Sequence, residues 1–343
     1  MAHIQANHNP ELGDEPASQS ALAPFYMLSG VIALLTFIAA AGGLLIPGLY
    51  RDNAYMLPQA YGQDLVTLVF ALPLFVVSLA FAVRGSLRAR VLWLGTLGYL
   101  LYTYITYAFG ATFNPFFLLY VAIFGLCVFT AIGGLSRADA ATLERYFAGK
   151  KTRRALAVYC LALAVSLLLL WGGQLIPTLL ANEVPEAVVL AGTPTSFVWA
   201  LDLGILIPFL VLTGIWLWQR CSPGYLLAGV VLVKGLTLGL AILAMGYFMQ
   251  RQAQPVDVGV IAIALVFIVA ALPFLALYLP RIKAEPQSLG ASAVATAGAT
   301  ALRRWYLALP STMLPLLLLA TLGGLLVPGL YRDNAWVVPQ NQT

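Results

Sequence analysis

Two ionisable residues stand inside long apolar runs: Asp202, in Trp199-Ala200-Leu201-Asp202-Leu203-Gly204, and Lys234, in Leu232-Val233-Lys234-Gly235-Leu236-Thr237. A charge at membrane depth costs a few kcal/mol on insertion scales, so each needs a partner, a water-filled cavity or a snorkelling route to the interface. The two runs are neighbours in the chain, joined by a turn containing Pro223-Gly224. Antiparallel packing makes an ion pair the first chemistry to consider. At ~1.5 Å per residue, however, Asp202 lies about 8 Å and Lys234 about 21 Å below the same end of the bundle, and a lysine stem closes only part of that gap. A direct pair, a shared cavity lined by both groups, and separate snorkelling all fit the sequence.

Hydroxyls supply the next chemistry. Tyr99, Tyr102, Thr103 and Thr106 follow i, i+3, i+4, i+7 spacing and share one helix face. They predict either interhelical hydrogen bonds or one wall of a ligand cavity. Tyr104 and Tyr107 lie off that face, with Tyr107 placed for an aromatic belt. Asp64, in Gln63-Asp64-Leu65-Val66-Thr67, reads as an N-terminal helix cap. Pro73 and Pro208 fall within apolar runs, where they remove helical hydrogen bonds and mark bends or broken helices.

The segment Gly42 to Gln59 recurs as Gly323 to Gln340, with fourteen of eighteen positions identical. Physically it is a helix exit: Pro and Gly stop the helix, Tyr50 and Tyr331 suit the headgroup layer, and Arg-Asp limits net charge. It has two readings. It is either a good terminator copied with its span, or a pair of equivalent elbows flanking one site. In the second case Arg51, Asp52, Arg332 and Asp333 guard the mouth and the arginines fork a carboxylate or phosphate.

The elements that position these residues follow from composition. Of 343 residues, 61% are hydrophobic and only 9% charged, against about a quarter charged in soluble domains. Mean hydropathy is +0.90. The fold class is all-α, a polytopic transmembrane helical bundle of about nine spans: 24 to 46, 65 to 83, 91 to 109, 116 to 134, 155 to 175, 197 to 218, 225 to 248, 258 to 279 and 305 to 327. Fourteen of the eighteen Lys and Arg then fall on one side. The positive-inside rule therefore sets the N-terminus in the cytoplasm and the C-terminus outside.

The organisation expected is a disordered polar tail (1–23), an eight-span body (24–279), a flexible cytoplasmic linker (280–304) and a ninth span with its elbow (305–343). In the inner loop 135–154, Ser136 and Asp139 cap a short helix with Ala140, Leu143, Tyr146 and Phe147 on one face. That helix suits either the inner leaflet, with Lys150 to Arg154 among anionic headgroups, or a solvated connector. Gly229, Gly235 and Gly239 beside Lys234 allow close helix approach.

Three cysteines without CxxC spacing, and two histidines within the first eight residues, leave little to hold a metal or haem. No cofactor and no metal are expected. Nucleophile elbow, phosphate loop and paired intramembrane aspartates are missing from the sequence, so it reads as non-enzymatic. The basic residues sit in short loops, which is topology rather than a nucleic-acid footprint.

Phe197 to Gly204, Tyr225 to Gly235 and the elbow Leu49-Tyr50-Arg51-Asp52 resemble a family of bacterial multi-span inner-membrane proteins with no assigned activity. The resemblance implies a bacterial inner membrane. The expected partners are the lipid bilayer, with anionic lipids at the inner basic loops, and a further membrane protein. The leading expectation is a non-enzymatic membrane protein that binds or carries a small polar or anionic solute through an outward-facing cavity. Arg51, Asp52, Arg332 and Asp333 would stand at its mouth, with Asp202, Lys234, Tyr99, Tyr102, Thr103 and Thr106 inside. The alternative is a structural or assembly subunit of a membrane complex.

Overall fold

The computed structural model describes residues 16–282, apart from Asp139 and Ala148. The tail up to residue 15, most of the expected linker, the ninth span and the second elbow with Arg332 and Asp333 lie outside the described residues.

Pro16 is tolerated in a first helical turn, and Ala, Ser, Gln and Leu follow it, so α1 (Pro16–Leu45) begins inside the stretch read as tail. After the elbow, in which Gly48 supplies the one positive φ (+74°), α2 (Leu57–Val66) starts. Its start is set by Asn53, whose Oδ1 accepts hydrogen bonds from the amides of Tyr55 (3.1 Å) and Met56 (2.9 Å), and by Pro58 in the first turn. A π-helical turn (Thr67–Ala71) joins α2 to α3 (Leu72–Val83). α4 (Leu87–Gly110), capped by Ser86, and α5 (Phe117–Arg137) follow. Then come α6 (Ala140–Tyr146), α7 (Lys150–Ala181), α8 (Glu186–Ala191) and α9 (Phe197–Leu201), capped by Ser196. A second π turn (Asp202–Leu206) leads into α10 (Ile207–Gln219), and α11 (Ser222–Arg251) and α12 (Val258–Arg281) complete the described chain.

Both π turns end two residues before a proline, Pro73 and Pro208. Proline lacks the N–H and crowds the carbonyl four residues back, so widening the preceding turn absorbs the misfit. The regular helix is interrupted where the sequence marked Pro73 and Pro208, and the second widened turn opens with Asp202.

Seven described helices are long and apolar enough to cross a membrane: Ala21–Leu45, Leu57–Val83, Phe117–Arg137, Lys150–Ala181, Phe197–Gln219, Ser222–Arg251 and Val258–Pro280. The segment expected as a third span, 91 to 109, lies within α4, a helix of 24 residues, about 36 Å long, which is not among the seven. Its tyrosines and threonines lower its hydropathy below that of the seven. α4 packs between α3, α5 and α11. α11 lies at the centre, against α2, α4, α10 and α12.

Glycine makes these approaches possible. A Cβ on Gly62 of α2 would lie 2.4 Å from the Met245 backbone nitrogen of α11, and one on Gly95 of α4 would lie 2.5 Å from Val233 Cβ. Gly229, Gly235 and Gly239 meet Val91 and Tyr278, Phe267, and Ile268 in the same way. The small-residue side of α11 read from the sequence is therefore a packing face.

The basic loop differs from its expected placement. Leu143 of α6 is fully buried against the bundle, and Glu144 accepts a hydrogen bond from Ser222 at the start of α11. Phe147, just past α6, packs against Tyr225 and Tyr278. Arg153, expected among headgroups, is 4% exposed, and its Nη1 donates to the carbonyls of Leu217 (2.5 Å) and Trp218 (3.0 Å). Those carbonyls end α10, where a helix leaves acceptors unpaired and favours a cation.

Gly62→Ala is expected to lower stability in detergent by about 1–3 kcal/mol, because a backbone wall cannot give way. Gly30→Ala, with nothing within 4 Å of its added methyl, is expected to be neutral or stabilising. Thermal unfolding of the two variants side by side checks this.

Candidate functional site

The sequence proposed one hydroxyl stripe on α4. The structure splits it: Tyr102 goes to Asp202, Tyr99 and Thr103 go to Gln63 and Thr67, and Thr106 turns back on its own helix.

On the first side stands Asp202, at the opening of the second π turn and 5% exposed. Its Oδ1 accepts from the Tyr102 hydroxyl (2.9 Å) and its Oδ2 from Trp171 Nε1 (3.0 Å). Trp171 of α7 and Trp199 of α9 have ring centroids 6.2 Å apart and pack with Val188 of α8. This aromatic cluster seals Asp202. Lys234 of α11 is half-buried, with its Nζ 4.2 Å from the centre of the Tyr102 ring.

No ion pair within 4.0 Å joins Lys234 to a carboxylate among the described residues. The direct Asp202–Lys234 pair is not formed. Tyr102 stands between them, its hydroxyl on the acid and its ring face against the ammonium. The depth mismatch is bridged by a third helix rather than by the lysine stem.

On the other side, Tyr99 and Thr103 bind α2. Gln63 Nε2 donates to both Tyr99 Oη (2.9 Å) and Thr103 Oγ1 (2.6 Å). Thr67 Oγ1 lies 2.9 Å from the Tyr99 hydroxyl and donates to the Gln63 carbonyl. Thr106 turns back on its own helix, donating to the Thr103 carbonyl (2.6 Å). Three members of the stripe thus hold helices together or hold α4, and Tyr102 alone reaches the two charges.

Asp64 overturns its reading as a helix cap. Because α2 starts at Leu57, Asp64 falls in the third turn and is 1% exposed. Its Oδ2 accepts from Tyr50 of the elbow (2.5 Å) and its Oδ1 from Tyr107 (2.9 Å). Tyr107, assigned to an interfacial belt, is buried on this acid instead, stacked on Tyr50 and Tyr120. The signal that could have found this site was the pair Asn53 and Pro58, which dates the helix start eight residues earlier than hydropathy does.

The first elbow is a clasp. Tyr50 reaches into the bundle to Asp64, Asp52 Oδ1 accepts from the Thr112 amide (2.8 Å) in the α4–α5 loop, and Asn53 Nδ2 donates to the Leu190 carbonyl (3.0 Å) at the end of α8. Tyr50 lies outside the spans, where burial first and then the neighbouring Asp64 push its hydroxyl well above the usual tyrosine range. It therefore stays an O–H donor. Arg51 is exposed and makes no ion pair within 4.0 Å among the described residues. Of the elbow residues named for a mouth, Asp52 is engaged in structure and Arg51 is not.

The elbow and Asp202 belong to the same end of the bundle. Asn53 ties the elbow to α8, and the ring of Phe197, which opens α9, covers Gly110 at the end of α4.

Tyr102→Phe is expected to cost about 1–3 kcal/mol through the unpaired Asp202 oxygen. Tyr102→Leu should cost about 1–2 kcal/mol more, because it also removes the ring beneath Lys234. Equal costs in thermal unfolding would remove the cation–π contact from this account. Set against known protein families, curated proteins and solved structures, the chain matches none of them, so the chemistry of these residues is the guide to its function.

Proposed function

We propose that this integral membrane protein binds or carries a small anionic solute at Lys234, reached from the elbow end of the bundle. One observation carries the reading. The Lys234 ammonium has no hydrogen-bond acceptor among the described residues, while the neighbouring carboxylate has both oxygens occupied by Tyr102 and Trp171.

The magnitudes favour an incoming anion. An ammonium at mid-membrane costs about 2.5–3.5 kcal/mol on insertion scales. A desolvated cation–π contact returns about 2 kcal/mol. Three N–H donors are left without acceptors, and a carboxylate, phosphate or halide supplies what the protein withholds. Asp202 holds Tyr102 in place and lowers the electrostatic cost of the cation. With both its oxygens engaged, it has little left for a cationic solute. Arg51, exposed beside the clasp, supplies a second positive charge at the proposed entrance. The fourteen basic residues on the opposite side support placing that entrance on the outer face of a bacterial inner membrane.

The test uses the full chain in lipid nanodiscs, titrated with sodium acetate, sodium phosphate and sodium chloride at constant ionic strength. At least one of these anions should raise the unfolding temperature of the wild type and leave Lys234→Met unmoved, with Lys234→Arg keeping part of the effect. Equal responses in wild type and Lys234→Met would defeat the proposal and leave the structural or assembly subunit.

A further inference from the structure

The second buried acid has a different hydrogen-bond pattern from the first, and the difference concerns a proton. Asp202 meets a tryptophan N–H, which can only donate, so the oxygen facing it must be an acceptor. Asp64 meets two tyrosine hydroxyls, each able to donate or accept. The Tyr107 hydroxyl lies 2.9 Å from Asp64 Oδ1 and also 3.2 Å from the Ala60 carbonyl. It has one hydrogen and two acceptors in reach. Both contacts are made in full when Asp64 carries a proton on Oδ1 and donates it to the tyrosine oxygen, while Tyr107 turns its own hydrogen to Ala60. Tyr50 donates to Oδ2 in either state.

The surroundings agree. The titratable groups that face Asp64 are Tyr50 from the elbow, Tyr99, Tyr104 and Tyr107 from α4, and Tyr120 from α5. α1 offers Gly43, whose added Cβ would lie 2.0 Å from Asp64 Oδ2, and α11 meets α2 through its backbone at Ala244 and Met245. No Lys, Arg or His lies within ion-pairing distance among the described residues. A carboxylate at 1% exposure without a cation is costly, and the bound proton removes that cost.

We infer that Asp64 is a proton-binding site inside the membrane body, held protonated at neutral pH between Tyr107 and Tyr50. Tyr50 is the only one of these partners outside a helix, beside the exposed Arg51. This inference stands apart from the anion at Lys234 and survives if that site binds nothing.

Infrared spectroscopy of the full chain in lipid tests it. At neutral pH the wild type should show the C=O stretch of a protonated carboxyl group. That band should vanish in Asp64→Asn and remain in Asp202→Asn. Asn places an amide donor where the acid O–H points, so Asp64→Asn should unfold at nearly the wild-type temperature. A band missing from the wild type, or surviving in Asp64→Asn, overturns the assignment. Should Asp64→Asn fail to fold, dicyclohexylcarbodiimide, which adds to protonated carboxyls in apolar surroundings, is applied to the wild type and its adduct mapped by mass spectrometry. An adduct on Asp64 with Asp202 spared supports the site, and the reverse pattern or no adduct on Asp64 refutes it.

Discussion

Hydrocarbon offers no hydrogen bonds, so a polar side chain carried below the membrane surface has to find its partners inside the bundle. α4 is where this protein meets that demand. It presents Tyr99, Thr103 and Tyr107 to α2 and the elbow, and Tyr102 to Asp202 and Lys234. The same hydroxyls that make α4 less apolar than its neighbours let two acidic helices pack on it. Glycines on α2, α4 and α11 bring the backbones close enough for those short side-chain reaches.

The two acids then receive opposite treatment. Asp202 is fixed by two donors and placed near a cation, with an aromatic cluster over it. Asp64 is enclosed by tyrosines alone and tied through Tyr50 to a loop. Each sits in or just before a π turn that a proline enforces. Such widened turns interrupt the regular register and re-aim side chains, which is one reason they accompany polar sites in helices. The elbow adds a second coupling, since its Asp52 binds the loop between α4 and α5 and its Asn53 binds the last turn of α8.

Much of this was legible in the sequence because it follows from composition and local chemistry. Apolar run length gave seven of the nine expected spans, Pro73 and Pro208 marked where the helices widen into π turns, and Gly229, Gly235 and Gly239 gave the close face of α11. What escaped depended on which helix lies beside which. The spacing of Tyr99, Tyr102, Thr103 and Thr106 assigns them one face, yet a face about 100° wide can touch two neighbours, and here it does. Lys234 was sought as the partner of an acid, whereas its ammonium lies over an aromatic ring from a helix far away in sequence. Asp64 was misplaced because hydropathy begins the second span at Leu65, while the helix begins at Leu57 under the Asn53 cap. Arg153 was assigned to headgroups because its attraction to the end of α10 depends on tertiary packing alone.

The account turns on whether water and solute reach the ammonium of α11, and side-chain accessibility decides that most directly. Lys234→Cys, in a Cys221→Ser background, should react with a charged, membrane-impermeant methanethiosulfonate in the folded protein, while the buried Cys127 and Cys160 stay unmodified. A Lys234→Cys thiol that resists the reagent until the protein is unfolded would mean that hydrocarbon side chains seal the position, and the solute site would be contradicted.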